Sequence, residues 1–134
     1  MTGFTAVLLY AVWTLLLPIV YASYRGPMIA LCRRRADHWE RGKPVDDLPI
    51  LMRAKNAHLN CMENFPIFAA VVCIAALLGQ SPIVDAVAAY VLYARIAQGV
   101  AHLIGTSWPL VLLRGAFYAI QVVLILYAIF ALLR

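Results

Sequence analysis

The chain has 134 residues, 65% of them hydrophobic and 13% charged, with a mean hydropathy of +0.87. No ordinary water-soluble domain is so apolar, which excludes a soluble enzyme or soluble binding module. The net charge of +5 does not point to nucleic acid, because eight of the eleven basic residues (Arg25, Arg33, Arg34, Arg35, Arg41, Lys43, Arg53 and Lys55) crowd between the first two apolar runs.

Those runs cover roughly 4–22, 61–79, 83–105 and 110–133. Each is close to the ~20 residues a helix needs to cross the hydrocarbon core. Backbone groups in lipid must be satisfied within their own segment, so the expected fold is all-α: an integral membrane four-helix bundle in one domain, 1–134. The helices are expected at about 4–32, 48–79, 82–105 and 109–133.

Helix 1 carries Pro18, which removes one backbone hydrogen bond and predicts a kink. It is preceded by no basic segment and followed by no small-residue cleavage site, so it reads as a retained helix rather than a signal peptide. The loop "RRRADHWERGKPVDDLP" is the one long polar stretch; Gly42 and Pro44 break it, and Asp46 or Asp47 with Pro49 signals the start of helix 2. Its excess of Arg and Lys places 33–55 in the cytoplasm and both termini on the other side, with Arg33, Arg34 and Arg35 resting on anionic lipid.

Pro66 predicts a second kink, in helix 2. "GQSPIVD" is a tight turn with Ser81 as N-cap, Pro82 at the first helical position and Asp85 in the first turn of helix 3. "GTSWP" makes the equivalent turn into helix 4, with Trp108 suited to the membrane interface. Cys32, Cys61 and Cys73 show no metal-ligand spacing and read as small packing residues, so no metal site is expected. Short loops and the lack of a retention motif favour a bacterial cytoplasmic membrane.

Polar residues inside these helices are not scattered. Arg53, Asn56, Asn60 and Glu63 step by three or four and share one face of helix 2. Arg95, Gln98 and His102 repeat the pattern on helix 3, and Arg114, Tyr118 and Gln121 on helix 4. Counted from the far ends of their apolar runs, Asn60, His102 and Arg114 stand at one depth. Glu63, Arg95, Gln98, Tyr118 and Gln121 lie slightly deeper.

A lone charge at the bilayer centre costs roughly 3 kcal/mol, so Glu63 and Arg95 are expected to face protein and neutralise one another, whether for structure or function. That leaves Arg114 without an acid: either it snorkels to the headgroups or it meets an anionic ligand. His38 and His58 read as interfacial, and His102 as a packed, hydrogen-bonded side chain or a site residue.

The stretch "RAKNAHLNCMENFPIF" (53–68) resembles the helix 2 signature of the MAPEG superfamily, the membrane-associated proteins of eicosanoid and glutathione metabolism. "YARIAQG" in helix 3 and the Arg114/Tyr118 pair in helix 4 extend the likeness along the chain. The resemblance implies a homotrimer that binds glutathione between subunits near the cytoplasmic face. Asn60 and Glu63 match positions that hold the glutathione backbone and amine, Arg95 a helix 3 arginine of the same polar network, and Arg114 the arginine that stabilises the thiolate. Arg53, Asn56, Gln98, His102 and Tyr118 complete the expected binding surface. The sequence departs from the family pattern at Asn56 and Leu59, where several members carry arginine, and at Gln98 and His102, where tyrosines are common.

The expected activity is that of a glutathione-dependent transferase or peroxidase acting on hydrophobic electrophiles or lipid hydroperoxides. The alternative is a non-catalytic member that binds lipid and presents it to a partner. A small four-helix transporter would want a carboxylate in helix 1, and that run has none.

Overall fold

The computed structural model of the chain describes residues 1–40 and 46–134; the break expected at Gly42 and Pro44 falls outside them. Among the described residues are four α-helices, α1 Gly3–Ala30, α2 Pro49–Leu77, α3 Ser81–Ile104 and α4 Trp108–Leu132, and one 3-10 turn, Ala36–Trp39. Each of the four is long and apolar enough to cross a membrane.

Local chemistry sets the helix ends. Thr2 caps α1, its hydroxyl accepting from the Thr5 N–H at 3.2 Å. Proline opens α2, α3 and α4 at a position that has no intrahelical N–H bond to lose. Gly79, at φ +68°, ends α2: its own N–H reaches Ala76 O at 3.1 Å and the Gln80 N–H reaches Ala75 O at 2.8 Å. The end of α1 makes the same two reversed bonds, Cys32 N to Ile29 O and Arg33 N to Met28 O, but with a cysteine at φ +53° where a glycine fits best.

Two start signals differ from expectation. Helix α3 begins at Ser81 itself, and Asp85 does not serve it; the carboxylate accepts instead from the Gly3 N–H at 2.6 Å. An acid at the positive end of α1 thereby ties the start of α1 to the start of α3. Asp47 likewise leaves α2 uncapped. It takes Arg25 at 2.6 Å and the Trp39 indole N–H at 3.0 Å, while the Arg25 guanidinium lies over the Tyr21 and Trp39 rings. This cluster fastens the first loop to the end of α1.

Packing places α1 against α2 and α3, and α4 against α3, with only slight contact between α4 and α2. Lipid tails are as apolar as leucine, so helix association in a bilayer depends on close approach and polar contacts rather than on escape from water. The interior accordingly uses Ala6, Ala57, Ala75 and Ala88 beside Phe68 and Val91. At Gly99 the approach is closest: an added Cβ would lie 2.7 Å from the Trp13 ring.

The two helices with interior prolines, α1 with Pro18 and Pro27 and α2 with Pro66, each run through them as one segment. Pro18 cannot supply the N–H that would fill the Thr14 carbonyl one turn earlier. His58 Nδ1, from α2, stands 3.1 Å from that oxygen, and since a carbonyl only accepts, the ring carries its proton there. His58 is thus a structural donor that repairs the gap left by Pro18.

Candidate functional site

The slight contact between α2 and α4 leaves a groove over α3, and the polar stripes meet in it. Asn60 and Glu63 of α2, Gln98 and His102 of α3, and Arg114, Gly115 and Tyr118 of α4 line an open pocket of about 290 Å³. Arg114 lies about 9 Å inside the start of α4. Six of the nine residues expected from sequence are brought together here. Gly115 carries no signal of its own in the sequence; it follows Arg114 on the rim, and nothing lies within 4 Å of where its Cβ would be.

The remaining three have other surroundings. Arg53 donates from Nε to Leu103 O at 2.9 Å, satisfying a carbonyl at the C-terminus of α3, where a cation also suits the helix dipole. Asn56 is exposed and outside the pocket lining. Arg95 is the largest fully buried side chain, 1% exposed.

Arg95 does not meet Glu63 as its stripe suggested. Its Nη1 donates to Asn60 O at 3.1 Å, and its guanidinium carbon lies 5.3 Å from the centre of the Tyr10 ring, which offers a negative π-face to the cation. The sequence signal missed Tyr10 because a tyrosine in an apolar helix looks like any packing residue. Tyr10 in turn donates to Cys61 O at 3.3 Å. Arg95 therefore holds the α2 backbone beneath Asn60 from inside the bundle, while Asn60 faces the pocket.

The Glu63 side is the reverse: the residue is exposed on the surface of the chain, midway along a helix long and apolar enough to cross a membrane. Among the described residues the ion pairs are Arg25 with Asp47 and Arg35 with Asp37, so neither Glu63 nor Arg114 is in one. An acid and a base thus share one open polar pocket, with the amides of Asn60 and Gln98, the His102 imidazole and the Tyr118 hydroxyl around them. Such a site can hold a zwitterionic or anionic molecule by charge and hydrogen bonds.

Four helices long and apolar enough to cross a membrane, with a pocket lined by polar side chains between α2 and α4, define the class as a polytopic membrane protein. The chain matches the model of the MAPEG family over residues 3–134 and belongs to that family. It is therefore an integral membrane protein, with a role broadly connected to glutathione or eicosanoids. Comparison with curated proteins and with solved structures returned no match.

Proposed function

We propose that the pocket binds glutathione between neighbouring subunits of a homotrimer and that the bound thiolate attacks hydrophobic electrophiles or lipid hydroperoxides arriving through the bilayer. The observation that carries this reading is the convergence of Asn60, Glu63 and Arg114 on one pocket from two different helices. Glu63 supplies an anion for the glutathione ammonium group. Arg114 supplies a cation for the sulfur: in a partly desolvated site, a guanidinium beside a thiol favours the charged form and so populates the nucleophile. Attack then forms a bond from sulfur to the electrophilic atom while the leaving group departs with its electron pair, the thiol proton having already gone to solvent.

A second copy of the chain explains the exposure of Glu63, since a carboxylate facing lipid is costly and a subunit seated against α2 and α4 would enclose the pocket. The basic loop orients the assembly with 33–55 in the cytoplasm and both termini opposite, in a bacterial cytoplasmic membrane.

One observation favours a second reading, a lipid-binding member without catalysis. Glutathione has two carboxylates, yet the pocket lining contains one arginine, and Asn56 lies outside it. Titration of the purified protein with glutathione, followed by ultraviolet thiolate absorbance in wild type and Arg114→Ala, separates the two. A thiolate band that disappears in the variant supports the enzyme. No band and no binding in either protein leaves the lipid-binding reading.

A further inference from the structure

Behind the pocket, Gln121 is 0% exposed. Its Nε2 stands 2.9 Å from the Phe117 backbone oxygen and 2.9 Å from Gln98 Oε1. Hydrogen-bond logic fixes both amides. A backbone carbonyl can only accept, so the Gln121 atom beside Phe117 O must be the NH2 group; reversing that amide would set oxygen against oxygen. The same NH2 faces Gln98, so Gln98 must turn its oxygen inward to accept. Gln121 keeps this orientation although its own Oε1 is buried without a partner, the smaller penalty beside an acceptor facing an acceptor.

The consequence appears at the surface of the pocket. Gln98 lines the site, and its Nε2 makes no hydrogen bond among the described residues. We infer that Gln121 is a positioning residue that locks Gln98 as a hydrogen-bond donor toward the pocket, so that the bound molecule must bring an acceptor, a carboxylate or amide carbonyl oxygen, to that point. This rests on the pocket's being the ligand site proposed above, but not on the ligand's being glutathione. It gives Gln121 a physical role: a free glutamine at position 98 could equally present its oxygen to the pocket, and Gln121 removes that choice.

The chain contains three glutamines, Gln80, Gln98 and Gln121, so the 15N side-chain amides of protein labelled only at glutamine are few enough to assign. In the ligand-free wild type, the Gln98 NH2 should exchange with solvent and the Gln121 NH2 should be protected. The opposite pattern overturns the inference without any variant. Addition of glutathione, or of oleate as a carboxylate lipid, should then shift the Gln98 NH2 signal.

A shift with oleate alone supports the donor role and removes the glutathione reading. A shift with neither probe overturns the donor role. For the probe that binds, Gln121→Leu and Gln98→Leu should each weaken affinity about tenfold, the weight of one hydrogen bond to a charged acceptor. The double variant should be no weaker than either single one, because both remove the same contact. Additive losses would show that Gln121 acts other than through Gln98.

Discussion

The pairing of His58 with the carbonyl that Pro18 leaves open can be tested by a double-mutant cycle. In wild type, Thr14 O has the His58 ring at 3.1 Å and no N–H from residue 18. His58→Phe keeps a ring of similar size but removes the donor, leaving a backbone acceptor unfilled inside the bundle, since Thr14 is buried. Interhelical side-chain hydrogen bonds in membrane proteins average about 0.6 kcal/mol, because unfolded segments find other partners. An orphaned buried acceptor costs more, about 1–3 kcal/mol, which places this substitution at about 1–2 kcal/mol.

In a Pro18→Ala background, residue 18 regains an N–H that can bond Thr14 O within α1. His58→Phe should then cost less by about 1 kcal/mol, while the packing change of the new ring is common to both backgrounds and cancels. Reversible unfolding in mixed micelles, monitored by helicity, measures all four proteins. Equal costs of His58→Phe in the two backgrounds would refute the claim that histidine compensates for proline.

Gly99→Ala should destabilise by about 1–3 kcal/mol because its Cβ would press on the Trp13 ring, and Trp13→Phe should recover part of that loss in the same unfolding assay. Cys32→Gly should raise stability by up to about 1 kcal/mol by relieving a left-handed backbone at φ +53°; a loss would show that the thiol has a packing role. Asp47→Asn should loosen the first loop, because the Arg25 side chain, only 12% exposed, loses its anion beside the aromatic rings. Faster amide hydrogen exchange through Ala36–Trp39 is the expected result, and unchanged exchange would mean that the rings alone hold the turn.

Much of the lining of this candidate pocket is legible in the sequence because depth and phase in a membrane helix are both simple functions of residue number. A charged or amide side chain in hydrocarbon must find company, so stripes at three- and four-residue spacing on separate helices imply a meeting place. Asn60, His102 and Arg114, equal in depth by counting, do share the pocket, with Glu63, Gln98 and Tyr118. The pairing of Glu63 with Arg95 is misleading because depth does not say which way around its helix a side chain turns relative to a neighbour. Arg95 faces α1 and the Tyr10 ring, whereas Glu63 faces outward.

By itself, the sequence determined that this chain carries four helices long and apolar enough to cross a membrane and that its polar side chains fall in stripes on three of them, since these follow from the cost of unsatisfied groups in hydrocarbon and from helical spacing along one chain. Only the tertiary structure decided partners. Asp85 serves α1 rather than its own helix, His58 fills a carbonyl that a proline on another helix left open, and Gln121 fixes which atom of Gln98 the pocket presents. Each of these joins residues more than twenty positions apart in the chain, and hydrogen bonds a few ångströms long depend on how the helices lie against one another, which their individual periodicity does not contain.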